Sequence, residues 1–170
     1  MSEESGEIPL ETIMKYAPLM MSGVPWAMFL GFEVVGVERG RAFAKVAWRE
    51  DLVGDPDSGI IHGGVITSLL DNLAGVAIAT RLRKLRAMAT LDLRIDYMRP
   101  AAKGEDILAE AECYHITRSV AFVHAWAFHG SREERIIASA SGAFALNDPK
   151  RWTPGSGGLS AVKDAMEGKS

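Results

Sequence analysis

The sequence predicts an α+β domain in which an antiparallel sheet packs against one long helix. Three observations predict it. The run from Gly63 to Thr80 places Ile66, Leu69, Leu70, Leu73 and Ala77 on one apolar stripe at helical spacing. Four later segments (Ala89 to Met98, Asp106 to Ile116, Val120 to His129, Ile136 to Leu146) have strand character. Short polar turns, Thr117-Arg118-Ser119 and Gly130-Ser131-Arg132, join the last three into a meander.

Taken in order, Ile8 to Met21 reads as an amphipathic helix, with Ile13, Met14, Ala17, Met20 and Met21 three and four residues apart. Tyr16 to Phe32 carries no charge, but Pro18, Gly23, Pro25 and Gly31 interrupt it. It falls short of the roughly 20 apolar residues a membrane span needs, so it reads as a helix followed by a buried connection. Phe32 to Glu38 and Arg41 to Trp48 read as strands around the Arg39-Gly40 turn, and Asp51 to Ser58 as a loop. In Ala89 to Met98, Leu91, Leu93, Ile95 and Tyr97 alternate with Thr90, Asp92, Arg94 and Asp96, which assigns the two sets to opposite faces. The resulting organisation is an N-terminal helix and connection at 1–31, a domain at 32–147, and a loose or partner-docked tail at 148–170.

Bulk composition narrows the function. A chain of 170 residues with 48% hydrophobic residues builds one core without metal or disulfide support. The single cysteine, Cys113, fits a reducing compartment, and the acidic first seven residues lack the basic region of a secretory signal, so a cytoplasmic location is expected. A net charge of -3 argues against nucleic acid as a partner, and no membrane association is expected. His62, His115, His124 and His129 have no zinc-site spacing, so no metal is expected. Ser68 has no nucleophile-elbow context.

Between Gly63 and Thr80 one side chain is charged, Asp71. It lies about 140° around the helix from Ile66, on a face shared with the small residues Gly64, Ser68 and Gly75. A carboxylate away from water is costly unless paired, so this position suits either chemistry or a cap or ion pair. Gly63 and Gly64 open the helix, where free N–H groups and the positive end of the dipole are presented. Those donors can stabilise an oxyanion, and glycine permits close approach. His62, just before them, either contacts a ligand or simply enters the helix.

The run Gly59-Ile60-Ile61-His62-Gly63-Gly64, followed nine places after His62 by Asp71 within Leu70-Asp71-Asn72, resembles the hotdog thioesterases of the phenylacetyl-CoA (PaaI-like) type. Asp96-Tyr97-Met98-Arg99-Pro100 is similar to that family's tyrosine-x-arginine-proline segment. The resemblance spans roughly Phe32 to Leu146 and implies a hotdog fold, an antiparallel sheet wrapped around the central helix. It also implies hydrolysis of an acyl-CoA thioester without cofactor, in a homodimer or homotetramer with sites between subunits. On that footing the Gly63 N–H polarises the carbonyl, and Asp71 either activates water or attacks directly. His62 and Gly64 shape the reaction site, and Thr90 helps position water or is a plain strand threonine. Asp55 stands near where the family carries an asparagine, although an anion cannot donate as an amide does.

For the coenzyme half of the substrate, Arg99 with Lys103 is the better phosphate candidate, and Asn72 lies in the motif beside Asp71. Arg81, with Arg83, Lys84 and Arg86, is a further phosphate candidate whose ordinary explanation is charge complementarity at a helix C-terminus. Met20, Met21, Trp26, Met28 and Phe29 either line an acyl pocket or belong to the core. Two other functions stand beside hydrolysis: a hotdog dehydratase or hydratase, and an acyl-CoA-binding sensor without chemistry.

Overall fold

The structure, a computed structural model, describes residues 8–22 and 24–147. The acidic start and the tail expected at 148–170 lie outside the described residues. In chain order the elements are α1 (Leu10–Ser22), α2 (Pro25–Leu30), β1 (Phe32–Glu38), β2 (Arg41–Val46), a single 3-10 turn (Glu50–Leu52), β3 (Val53–Asp55), β4 (Ile60–Ile61), α3 (Gly63–Ala79), β5 (Met88–Tyr97), β6 (Ile107–Ile116), β7 (Val120–Phe128) and β8 (Ile136–Leu146).

Six strands form one antiparallel sheet in the order β1-β2-β6-β7-β8-β5, while β3 and β4 make a separate two-stranded ribbon. The sheet wraps α3, which is the hotdog fold. The wrap depends on small side chains: Ala42 and Ala44 on β2, Ala109 and Ala111 on β6, and Ala121, Ala125 and Ala127 on β7 are buried. Alanines on the inner face let the helix sit close, and its own Leu69, Leu70 and Leu73 fill the space with no exposed surface. Burying each of those leucines contributes about 1.5–3 kcal/mol. The C-terminus of α3 is satisfied internally: the Thr80 hydroxyl donates to Ala77 O and accepts from the Gly40 N–H, both at 2.7 Å.

Three features differ from the sequence reading. Met14 faces outward on α1, whose buried stripe is Ile13, Ala17 and Met21. The stretch after α1 is not a buried connection but the short helix α2. Pro25 starts it, having no N–H to lose, and Gly31 ends it in the left-handed region (φ 74°), its N–H donating to Ala27 O and Met28 O. The loop at Asp51 to Ser58 contains β3, whose pairing with β4 delivers the chain to the start of α3.

Strand alternation is also broken where the register shifts. Three of these shifts leave an exposed extra residue: Val35, Tyr114 and Leu91. The third of these governs the site.

Candidate functional site

The β3–β4 ribbon and α3 meet at His62. Its N–H donates to Leu52 O (2.9 Å), and Gly54 lies so close that a Cβ there would sit 2.8 Å from His62 Cα. His62 is the N-cap of α3: its Nδ1 accepts from the Gly64 N–H at 2.9 Å and its carbonyl from the Val65 N–H at 2.9 Å. The Gly63 N–H, at the first helical position, has no acceptor among the described residues. The two glycines therefore divide the work: Gly64 is spent on the cap and Gly63 presents a free donor.

Tyr97 braces this donor from β5. Its hydroxyl donates to Gly63 O (2.7 Å) and lies 2.8 Å from Thr67 Oγ1. A phenol has one proton, so Thr67 is the donor in the second bond. The phenol also explains Gly63, where a Cβ would meet its oxygen at 3.2 Å. Around Gly63 an open cleft of about 310 Å³ is lined by Ile60, Ile61, Ile66, Tyr97, Met98 and Arg99, with Pro100 and Ala101. The sequence reading placed Tyr97 only within a motif; the structure gives it a contact with the helix start.

Further along α3, Asp71 is half-buried, and its Oδ1 accepts a 2.7 Å hydrogen bond from the Thr90 hydroxyl. Alternation had put Thr90 on the face opposite Tyr97. The bulge corrects this: Thr90 pairs with Phe144 and Asp92 with Ala143, leaving Leu91 as the unpaired extra residue. Inserting one residue reverses the parity, so Thr90 and Tyr97 both face α3 while Leu91 turns to solvent. Opposite the bulge is Gly142, where a Cβ would lie 2.9 Å from Asp92 O.

The other candidate residues separate into two groups. Arg99 is exposed in the cleft beside Gly63, and the Lys103 methylenes lie over Gly59, so both cations border the entry to α3. The rest are engaged elsewhere. The Asn72 amide donates to Ser68 O at 2.8 Å, within the helix. The Asp55 carboxylate accepts from the Ser58 hydroxyl and, at 3.2 Å, from the Asp57 N–H; these bonds, the hydroxyl's first, hold its pKa below the usual value. Arg81 donates to Cys113 O (2.8 Å), about 27 Å along the helix from Gly63. Arg86 likewise binds the carbonyls of Leu146, Asn147 and Arg118. Arg81 and Arg86, the first and last of the basic cluster after α3, are thus tied to backbone carbonyls at strand ends.

One contact had no sequence signal: the Trp26 indole N–H of α2 donates to Ser68 Oγ at 3.0 Å. Ser68 is one turn before Asp71, so α2 borders the same strip of α3 as Thr90 does from the other side.

Residues 58–136, which include the whole of α3 and β5, match the family model described as the thioesterase superfamily. The medium/long-chain acyl-CoA thioesterase YigI of Escherichia coli K12 is 32% identical over 136 residues, covering 71% of this chain and 84% of that one. A relative from Halobacterium salinarum is 34% identical over 95 residues, and the match covers 54% of this chain and 62% of its length. The solved structure of E. coli PaaI, from the phenylacetic acid degradation operon, superposes with a TM-score of 0.71 at 18% identity, covering 82% of this chain and 96% of that chain.

Proposed function

The chain belongs to the thioesterase superfamily, and on that premise we propose that it hydrolyses acyl-CoA thioesters to the free acid and coenzyme A, with Asp71 as general base. The observation that carries this reading is the Asp71–Thr90 pair on an otherwise uncharged helix. The Thr90 proton occupies Oδ1, which leaves Oδ2 to accept a proton from water. The water oxygen bonds to the acyl carbon, the carboxylate takes the water's proton, and the Gly63 N–H stabilises the resulting oxyanion. Collapse breaks the C–S bond, and the proton held by Asp71 passes to the leaving thiolate. The reaction needs no metal or cofactor. The cleft beside Gly63 accommodates the pantetheine arm, with Arg99 and Lys103 toward the phosphates.

Gly63 and Asp71 stand eight residues apart on one helix, about 12 Å along its axis. One thioester carbonyl cannot contact both within a single chain. A complete site therefore takes Gly63 from one copy and Asp71 from another, in a homodimer or a larger even assembly. The outer edge of β5, which among the described residues pairs only with β8, is the natural place for two sheets to join.

The dehydratase reading asks a histidine to move protons, and His62 is poorly disposed for it. Its Nδ1 lone pair accepts from Gly64, so the neutral ring carries its hydrogen on Nε2 and has no free lone pair.

The test is thiol release from aromatic and aliphatic acyl-CoAs by the wild type and by Asp71→Asn. The expected result is hydrolysis that falls at least a hundredfold in the variant, on the order of 3 kcal/mol of transition-state stabilisation, with acyl-CoA binding retained. Tight binding without release by the wild type would refute hydrolysis and leave a sensor.

A further inference from the structure

α2 presents an apolar surface that the core does not use. Trp26, Met28 and Phe29 are 56%, 63% and 58% exposed, and the Trp26 and Phe29 rings stack at 5.8 Å with 20° between planes. The helix carrying them is held at both ends. The Trp26 indole is tied to Ser68, and the Arg49 guanidinium, itself paired with Asp51, donates to Phe29 O at 3.0 Å. Arg49 also packs so closely on Gly31 that a Cβ there would lie 2.8 Å from Nη1. Trp26 and Phe29, three residues apart on one face of α2, thus form a fixed shelf beside the strip of α3 that holds Asp71.

We propose that Trp26 is a specificity-determining residue and that the shelf receives the acyl chain, favouring aliphatic acyl groups of medium length or longer. The inference rests on the thioester-hydrolase reading above. Reach, chemistry and size together identify the occupant. Reach comes first: Ser68 is three residues, about 4.5 Å along the helix, from Asp71. A group bound there extends roughly three or four carbons from the reacting carbonyl before it meets the indole, given bonds of about 1.5 Å. Acetyl groups stop short. The second is chemistry: the indole N–H is already spent on Ser68, so the shelf offers apolar faces and no donor for a hydroxylated chain. The third is size. Aromatic side chains present about 150–250 Å² each, so the Trp26 and Phe29 rings at these exposures offer roughly 230 Å². That is less than half of the about 800 Å² per partner that a stable subunit contact uses, and it suits a ligand. Beyond Asp71 the strip remains open, since nothing lies within 4 Å of a Cβ placed on Gly75.

The experiment measures kcat/KM for acetyl-, butyryl-, octanoyl- and lauroyl-CoA with the wild type, Trp26→Ala and Ser68→Ala, together with oligomer mass by light scattering. Covering one side of a methylene gives about a twofold gain, half of its full transfer free energy. The wild-type profile should therefore rise with chain length beyond butyryl. Trp26→Ala should lower octanoyl- and lauroyl-CoA turnover about tenfold while leaving acetyl- and butyryl-CoA within twofold. Ser68→Ala, which frees the ring without removing it, should fall between. Active enzyme whose three profiles run parallel overturns the inference and leaves hydrolysis standing. A change of oligomer mass in Trp26→Ala, with no change in chain preference, overturns it by making the shelf a subunit contact. Failure of the wild type to hydrolyse any of the four overturns the inference, and failure on aromatic acyl-CoAs as well overturns the reaction itself.

Discussion

Replacing Thr90 by valine keeps a β-branched side chain of nearly the same shape on β5 and removes one hydroxyl. That hydroxyl makes a 2.7 Å hydrogen bond to Asp71 Oδ1. A hydrogen bond to a charged group contributes about 1.5–3 kcal/mol. Thr90 is exposed, so water replaces part of the bond, and the lower end of that range applies. At about 1.4 kcal/mol per factor of ten, kcat should fall roughly 10- to 30-fold. An exposed strand substitution of this kind should change stability by no more than about 0.5 kcal/mol. The assay is steady-state thiol release alongside thermal unfolding, with Thr90→Ser as the control that restores the donor. Loss of turnover in valine but not serine, at unchanged Tm, is the expected pattern. Turnover within twofold of wild type in Thr90→Val would refute the claim that this hydroxyl orients the base, and a parallel collapse of Tm would make the residue structural.

Two further outcomes follow from the same geometry. Gly54→Ala forces a Cβ to 2.8 Å from the His62 backbone, so it should cost about 1–3 kcal/mol in urea unfolding and reduce activity by shifting the cap of α3; unchanged stability would mean that the ribbon yields freely. Burial pushes the Cys113 thiol up to about 11, so at pH 8 only about one molecule in a thousand carries the thiolate. Because the protonated form is the one favoured by folding, the native thiol should resist alkylation at pH 8 and react promptly in urea; rapid native labelling would show that β6 opens readily.

Some of this was legible in the sequence because the signals were local. The α3 stripe and its one carboxylate stood out since helical spacing and a single charge are read directly from neighbours. Arg81 and Arg86 could not be assigned, because the carbonyls that hold them come from β6, β8 and their connecting turns, brought close only by folding. The apolar run at Trp26 to Phe29 reads as buried by composition, but Pro25 and Gly31 close it into a helix too short to hide all its sides. Thr90 was set on the wrong face for a similar reason: the bulge that moves it belongs to its pairing with β8, where Gly142 leaves room for the Asp92 carbonyl.

That bulge makes the count of residues in β5 a functional quantity. Thr90 and Tyr97 are separated by seven positions, an odd number, and a regular strand would point them in opposite directions. Only the surplus residue Leu91 lets one edge strand hold the carboxylate of α3 at one end and the first turn of α3 at the other. Removing Leu91 would leave every contacting side chain in the protein and still separate the two, with either the hydroxyl or the phenol turned to water. The strand therefore tolerates exchange at that position more readily than loss, since what Leu91 contributes is its place in the count.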